Sequence, residues 1–200
     1  MRQRCPWSLG VSDEYQAYHD EEWGLPVLDD AVHFEFLILE SAQAGLSWRT
    51  VLHKREGYRL AFAGFDPVSV ALFGEPEIEA LVADPGIIRN RQKITAAVNN
   101  ASRFLEVCEE FGSFARYIWG FANGKPVVNR WRSQNELPAT SELSDRLSAD
   151  LKARGFKFVG STIMYSHLQA CGLINDHLVS CFRHRECRDA FTGLPGNRSG

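Results

Sequence analysis

Ala83-Asp84-Pro85-Gly86-Ile87-Ile88-Arg89-Asn90 joins a short helical segment, Glu77 to Ala83, to a longer one in which Ile94, Ala97, Ala101, Leu105 and Cys108 recur at helical spacing up to Gly112. Asp84-Pro85-Gly86 reads as a turn. Its glycine lets backbone amides come close to a phosphate at the N-terminus of the helix that follows. Arg89, Arg91 and Lys93 add positive charge, and from Gly86 to Arg103 there is no acidic residue. The pattern is that of a helix-hairpin-helix spanning about residues 77–111, which grips a nucleic-acid backbone rather than its bases. An ordinary helix-turn-helix connection shares the pattern, and the basic run favours the DNA reading.

The same helical period governs the rest of the chain. Asp29 or Asp30 caps a helix running towards Gly45, with Phe34, Leu37, Ile38 and Ala42 on one stripe. Arg49 to Phe62 reads as a second helix, and Asp66-Pro67 as an N-cap and N1 proline opening a short one to about Phe73. Ser113 caps a helix through Phe121, and Asn123-Gly124-Lys125-Pro126 breaks it ahead of an irregular or briefly extended stretch, Val127 to Leu137. Leu143, Leu147 and Leu151 line a further helix stopped by Gly155. Gly160 to Gly172 and Leu173 to about Phe182 read as two more. The sequence thus predicts an all-α protein of eight or nine helices with chain ends able to meet. One globular catalytic unit over residues 1–190 and a tail over 191–200 are expected.

With 200 residues, 44% hydrophobic and 24% charged, the chain is long enough to bury a sizeable core, and no apolar run approaches the ~20 residues of a membrane span. The start, MRQRCPWSLG, has no apolar segment of the kind a secretory signal needs. A cytoplasmic location and no membrane partner are expected. The net charge of −3 hides an uneven distribution, since Ser12 to Glu40 holds nine acidic residues and no Lys or Arg. Five dispersed cysteines make a poor disulfide framework, so metal ligation or burial is the better reading of each.

His177 and Cys181, four residues apart, would face one side of a helix and could chelate one ion. Cys5 and His19 could complete a tetrahedral Cys2His2 set, while His184 and Cys187 are competing ligands. Glu40 stands in the most apolar helix of the chain. Its carboxylate must be on a solvated face, paired, or turned into a purposeful cavity, because burying it alone costs several kcal/mol. Gly45-Leu46-Ser47-Trp48 then presents apolar residues in a loop, as a DNA wedge or a stacking platform requires. Trp7, Tyr15, Tyr18, Trp23 and Trp48 are half of the ten Trp and Tyr residues, and all lie in the first quarter of the chain. With Glu40 they could form an aromatic pocket with one polar reader, which is how flipped bases are held.

Cys5-Pro6-Trp7, Tyr15-Gln16-Ala17-Tyr18-His19-Asp20, Glu22-Trp23-Gly24, Leu39-Glu40, Gln43-Ala44-Gly45-Leu46-Ser47-Trp48, Lys54-Arg55-Glu56, Gly86-Ile87-Ile88-Arg89, Gly155-Phe156-Lys157-Phe158-Val159-Gly160 and Asn175-Asp176-His177 resemble the 3-methyladenine DNA glycosylase I family, in order from about Arg4 to Cys181. The resemblance implies the helix-hairpin-helix glycosylase fold with one structural zinc ion joining the N- and C-terminal segments, its ligands Cys5, His19, His177 and Cys181. It places the base pocket, with the catalytic groups, on Glu40 and Tyr18, and adds Trp48, with Trp7 and Tyr15 close by. It places the DNA-penetrating loop on Gly45 and Leu46, while the hairpin residues Gly86, Ile88, Arg89, Arg91 and Lys93 are the expected phosphate grip. The implied partners are double-stranded alkylated DNA and free 3-methyladenine as product, acted on by a monomer.

Methylation at N3 makes the adenine cationic, so it leaves neutral, and strong acid catalysis is unnecessary. Hydrolytic base-excision repair without lyase activity is the expected reaction, leaving an abasic site. Two other classes share part of the pattern: a zinc-stabilised DNA-binding protein without catalysis, and a zinc hydrolase, which would need an open metal position.

Overall fold

The structure is a computed structural model and describes residues 2–192. In chain order it comprises α1 (Asp13–Glu21), α2 (Asp30–Gln43), α3 (Trp48–His53), α4 (Arg55–Ala61), α5 (Pro67–Ala71), α6 (Glu75–Ala83), α7 (Arg91–Phe111), α8 (Phe114–Phe121), β1 (Val127–Val128), α9 (Glu142–Ala153), α10 (Ser161–Ala170), β2 (Ile174–Asn175) and α11 (Phe182–Thr192). Short 3-10 turns occupy Pro6–Ser8, Ala63–Phe65 and Gln134–Glu136. The all-α expectation holds. The two short strands pair in parallel, Val127 with Ile174 and Val128 with Asn175.

Helix α2 is the axis of the molecule. Every residue from His33 to Ala42 is buried, on all faces, as expected of a helix enclosed by others. It packs against α3, α7, α8 and α10, and Phe34, Leu37 and Leu39 have almost no exposed surface. Asp29 caps it by accepting from the Ala31 amide at 2.8 Å. Its four buried polar side chains need partners, and three have them. Glu35 receives Arg55 at 2.8 Å and Arg59 at 2.9 Å, Ser41 donates to the Phe158 carbonyl, and His33 lies between the Val27 carbonyl and His167. Burial pushes His33 down to about 4 and His167 well below its ordinary value, so both rings stay neutral at physiological pH. Glu40 is the fourth, and it has no hydrogen-bond or ion-pair partner among the described residues.

Four local expectations need correction. The segment read as one helix from Arg49 to Phe62 is two, α3 and α4, broken at Lys54, whose amine reaches the Pro85 carbonyl at 2.7 Å. Leu173 to Cys181 is not helical: the Asn175 side chain accepts from the His177 amide and donates to the His184 carbonyl, so local side-chain bonds replace helical ones. The chain is helical afterwards, over Phe182–Thr192, so Phe191 and Thr192 of the expected tail belong to α11, while residues 193–200 lie outside those described. The N-terminal acidic stretch contributes α1, capped by Ser12, although its apolar residues show no clear stripe.

The segment between α6 and α7 is a tight hairpin docked on α4. Asp84 accepts from the Gly86 amide at 2.7 Å, Tyr58 accepts from the Ile88 amide at 3.2 Å, and Asn90 caps α7. A Cβ on Gly57 would stand 2.3 Å from the Gly86 carbonyl oxygen, so only glycine allows α4 and the hairpin to touch.

Candidate active site

A cavity of about 210 Å³ opens between α1, α2, the loop before α3, and α10, lined by Trp7, Tyr15, Tyr18, Trp23, Glu40, Gln43, Trp48, Leu137, Ser166 and Gln169. The five aromatic residues crowded into the first quarter of the sequence are all in its wall. Trp7 meets Tyr15 edge-on at 5.6 Å and Trp23 at 5.1 Å, and the Tyr18 and Trp48 rings lie 5.3 Å apart. Glu40 supplies the carboxyl group. Burial, with no partner to offset it, pushes that carboxyl up to about 8. Burial and the nearby Glu40 likewise hold the Tyr18 phenol well above its ordinary range. The Trp48 indole N–H is buried without an acceptor.

Sequence reasoning named Glu40, Tyr18, Trp48, Trp7 and Tyr15, and it placed Trp23 among the aromatic cluster. It quoted Gln43 only as the first residue of the Gln43–Trp48 run, with no role in the site, and it missed Leu137, Ser166 and Gln169, which carry no motif. A larger cavity of about 510 Å³ lies between α8, β1 and α9. Its inner polar groups, Asn129, Trp131 and Tyr165, are already committed to Asp176.

The loop leaving α2 turns at Gly45, whose φ of 78° is the left-handed conformation that glycine accepts most readily, and Leu46 beyond it is exposed. Lys93 donates to the Ala42 carbonyl at 2.8 Å and the Ala44 carbonyl at 2.6 Å, closing the C-terminus of α2. Arg91 is paired with Glu75 and Glu79. Arg89 is exposed and has no ion pair among the described residues, and Arg49, beside Trp48 and near Tyr15, is the same.

Behind the aromatic wall, Cys5, His19, His177 and Cys181 converge, all buried, with their ligand atoms within 4.8 Å of one another. Cys181 Sγ lies 3.5 Å from His19 Nε2 and 3.6 Å from His177 Nδ1, and Cys5 Sγ lies 3.6 Å from His177 Nδ1. Those edges fit a tetrahedron with metal–sulfur bonds of about 2.3 Å and metal–nitrogen bonds of about 2.0–2.1 Å. The other ring nitrogens are held as ligand histidines usually are: His19 Nδ1 by Asp20 at 2.8 Å, His177 Nε2 by the Trp23 carbonyl at 2.9 Å. The residues therefore fit a four-coordinate ion. The competing ligands stand outside the quartet: His184 Nε2 lies 2.8 Å from the Asn129 carbonyl, and Cys187 Sγ, next to the quartet, lies 3.8 Å from the Trp23 carbonyl that also holds His177. A second buried trio, His33, His167 and Cys171, comes equally close, but its two imidazoles already share a 3.2 Å hydrogen bond.

A family model described as methyladenine glycosylase matches residues 7–184. The chain is 50% identical over 179 residues to DNA-3-methyladenine glycosylase 1 of Escherichia coli (strain K12), covering 90% of this chain and 95% of that protein. A crystal structure of 3-methyladenine DNA glycosylase I superimposes with a TM-score of 0.86 at 48% identity, over 90% of this chain and 98% of that one. A single-site variant of such an enzyme in complex with 3-methyladenine gives 0.86 at 37% identity, over 90% and 96% of the two chains.

Proposed function

The chain belongs to the methyladenine glycosylase family and removes 3-methyladenine from alkylated DNA by hydrolysis, and we propose that the unpaired carboxyl of Glu40 is what singles out a cationic purine. The observation that carries this reading is the isolation of Glu40. Glu35, five residues earlier on the same helix, has two arginines; Glu40 has no cation against it and faces an open cavity with five aromatic residues in its wall. A cation that enters supplies the missing counter-charge, gains from it in a water-poor site, and adds a cation–π contact with Trp48 of ~0.5–2 kcal/mol.

The target base cannot reach the cavity while stacked in a duplex, so it is flipped out of the helix at a cost of a few kcal/mol. Leu46 is the exposed apolar side chain placed to fill the gap it leaves. The C1′–N9 bond breaks with its electron pair going to the purine, which departs neutral. Water adds to the sugar and gives up a proton, leaving an abasic site. Neutral adenine gains neither the leaving-group advantage nor the charge on Glu40. No lysine lines the cavity, and the Lys93 amine is held by two carbonyls, which supports hydrolysis without a covalent amine intermediate.

The phosphate grip is assigned to the hairpin at Gly86, Ile88 and Arg89, with Arg49 added on the mouth of the cavity. Arg91 and Lys93 contribute through the pairs that fix the hairpin and the wedge loop. The Cys5–His19–His177–Cys181 set is that of structural zinc: all four positions are protein, which argues against a zinc hydrolase, and the ion would cross-link the chain ends. The reading is tested by incubating the protein with methylated duplex DNA and resolving the released bases. The parent protein should release 3-methyladenine and leave alkali-labile sites. Glu40→Gln should stay folded, keep its affinity for duplex DNA and release roughly a hundredfold less 3-methyladenine per unit time than the parent. Equal release by the two proteins would remove Glu40 from the site.

A further inference from the structure

We propose that Gln169 determines specificity at the C6 position of the base: its side-chain oxygen, fixed by Asp176, selects a 6-amino purine over a 6-oxo purine. The inference deepens the reading above and rests on it. Gln169 comes from α10 and lines the same cavity as Glu40. Its amide cannot take either orientation freely. Gln169 Nε2 donates to Asp176 Oδ2 at 2.7 Å, and Tyr165 donates to the same oxygen. Asn129 Nδ2 and Trp131 Nε1 both donate to Asp176 Oδ1, each at 2.7 Å. A carboxylate oxygen only accepts, so the amide atom facing Asp176 is the nitrogen. The end that remains for a ligand is the oxygen, Oε1, an acceptor that no change of pH can turn into a donor.

The other polar side chains of the cavity lack this property. Gln43 makes no side-chain hydrogen bond among the described residues, so its amide can present either end. The Ser166 hydroxyl, 3.3 Å from the Thr162 carbonyl, can rotate to donate or accept. Glu40 is a pure acceptor when ionised and gains a donor when protonated. Gln169 is thus the wall's one side-chain amide of fixed polarity, held by a buried carboxylate that receives four donors. An exocyclic amine at C6 offers it a hydrogen. A carbonyl there sets acceptor against acceptor and leaves both unsatisfied, which is the strongest kind of discrimination a neutral site can make.

The test uses the zinc-loaded full-length protein and two free bases that carry an amino and an oxo group at C6, 3-methyladenine and 3-methylhypoxanthine, with affinities measured by titration calorimetry. The parent should prefer 3-methyladenine. Gln169→Met, which keeps the length and removes the amide, should lower the preference about tenfold, the worth of one neutral hydrogen bond, mainly by weakening 3-methyladenine. Gln169→Leu should do the same, and both variants should keep the parent's melting temperature and zinc content. In the parent, the Gln169 side-chain amide proton that faces Asp176 should exchange slowly with solvent with and without base, because it stays on that carboxylate. Equal weakening of both bases, an unchanged ratio, or fast exchange of that proton would overturn the proposal. Failure of the parent itself to bind 3-methyladenine would instead overturn the function on which it rests.

Discussion

Glu40 shows how a single residue reports a function through its energetics. Unfolded, its carboxyl has an ordinary pKa near 4.5; folded, it is pushed up to about 8 by burial, with the Tyr18 phenol and the Cys171 thiol as neighbours and no cation against it. Below pH 4.5 both states hold the proton and there is no penalty. As pH rises from 4.5 to 8 only the unfolded chain releases it, so stability falls by about 1.4 kcal/mol per pH unit and levels off above pH 8. Glu40→Gln should therefore melt higher than the parent, by a margin that is absent near pH 4 and grows up to pH 8. Parallel melting curves across that range would mean that Glu40 is solvated. On the proposed function that cost is borne for the ligand, and the sequence hinted at this by placing a carboxylate among FEFLILE. It gave no sign of Gln169 or Ser166, which arrive at the cavity from more than 120 residues away and only through the packing of α10 on α2.

At the scale of elements, the hairpin and the loop after α2 are tied together. The Lys93 ammonium, on the first turn of α7, holds the last carbonyls of α2, where the helix dipole also favours a positive charge. The loop carrying Gly45 and Leu46 is therefore anchored to the first turn of α7. Arg89→Ala and Lys93→Met should behave differently. The first should weaken duplex binding and reduce its logarithmic salt slope by roughly one unit, leaving free-base affinity unchanged. The second should leave the salt slope intact, cost about 1–3 kcal/mol of stability through two unsatisfied carbonyls, and lower excision more than binding. A reduced salt slope in Lys93→Met would return that amine to the phosphates. Basic spacing alone could not separate these roles, because the carbonyls that capture Lys93 lie about fifty residues earlier in the chain. The apolar period located α2, α7, α8 and α9 well, for the same reason that it failed over Leu173 to Cys181: there the side chains of Asn175 and Asp176, not an apolar stripe, dictate the path.

At the scale of the molecule, the metal set and the base cavity share their supports. Cys5 lies two residues from Trp7, His19 follows Tyr18, and His177 follows Asp176, which holds Gln169. Trp7 packs edge-on against His19 at 5.0 Å, and Trp23 against His177 at 4.5 Å. The sequence grouped Cys5, His19, His177 and Cys181 partly on an incorrect premise, since His177 and Cys181 meet across a turn and not along a helix. What the ion would join is larger than that pair. The Phe182 amide already donates to the Gln3 carbonyl, so the N-terminal strap and α11 close around the four ligands. Structural zinc binds peptide sites with about 10–16 kcal/mol of apparent free energy at pH 7, comparable to the whole stability of a domain. Removing it should therefore do two things together: lower the melting temperature, and abolish 3-methyladenine binding at temperatures where the helical content is still intact, because Trp7, Tyr18 and Gln169 lose their supports. Cys5→Ser and His177→Ala should reproduce both effects and lose the metal by elemental analysis. His184→Ala and Cys187→Ala should keep one zinc per chain, since their side chains face backbone carbonyls and not the quartet. Base binding that survives in a metal-free, helical protein would separate the two sites and confine the ion to tying the chain ends.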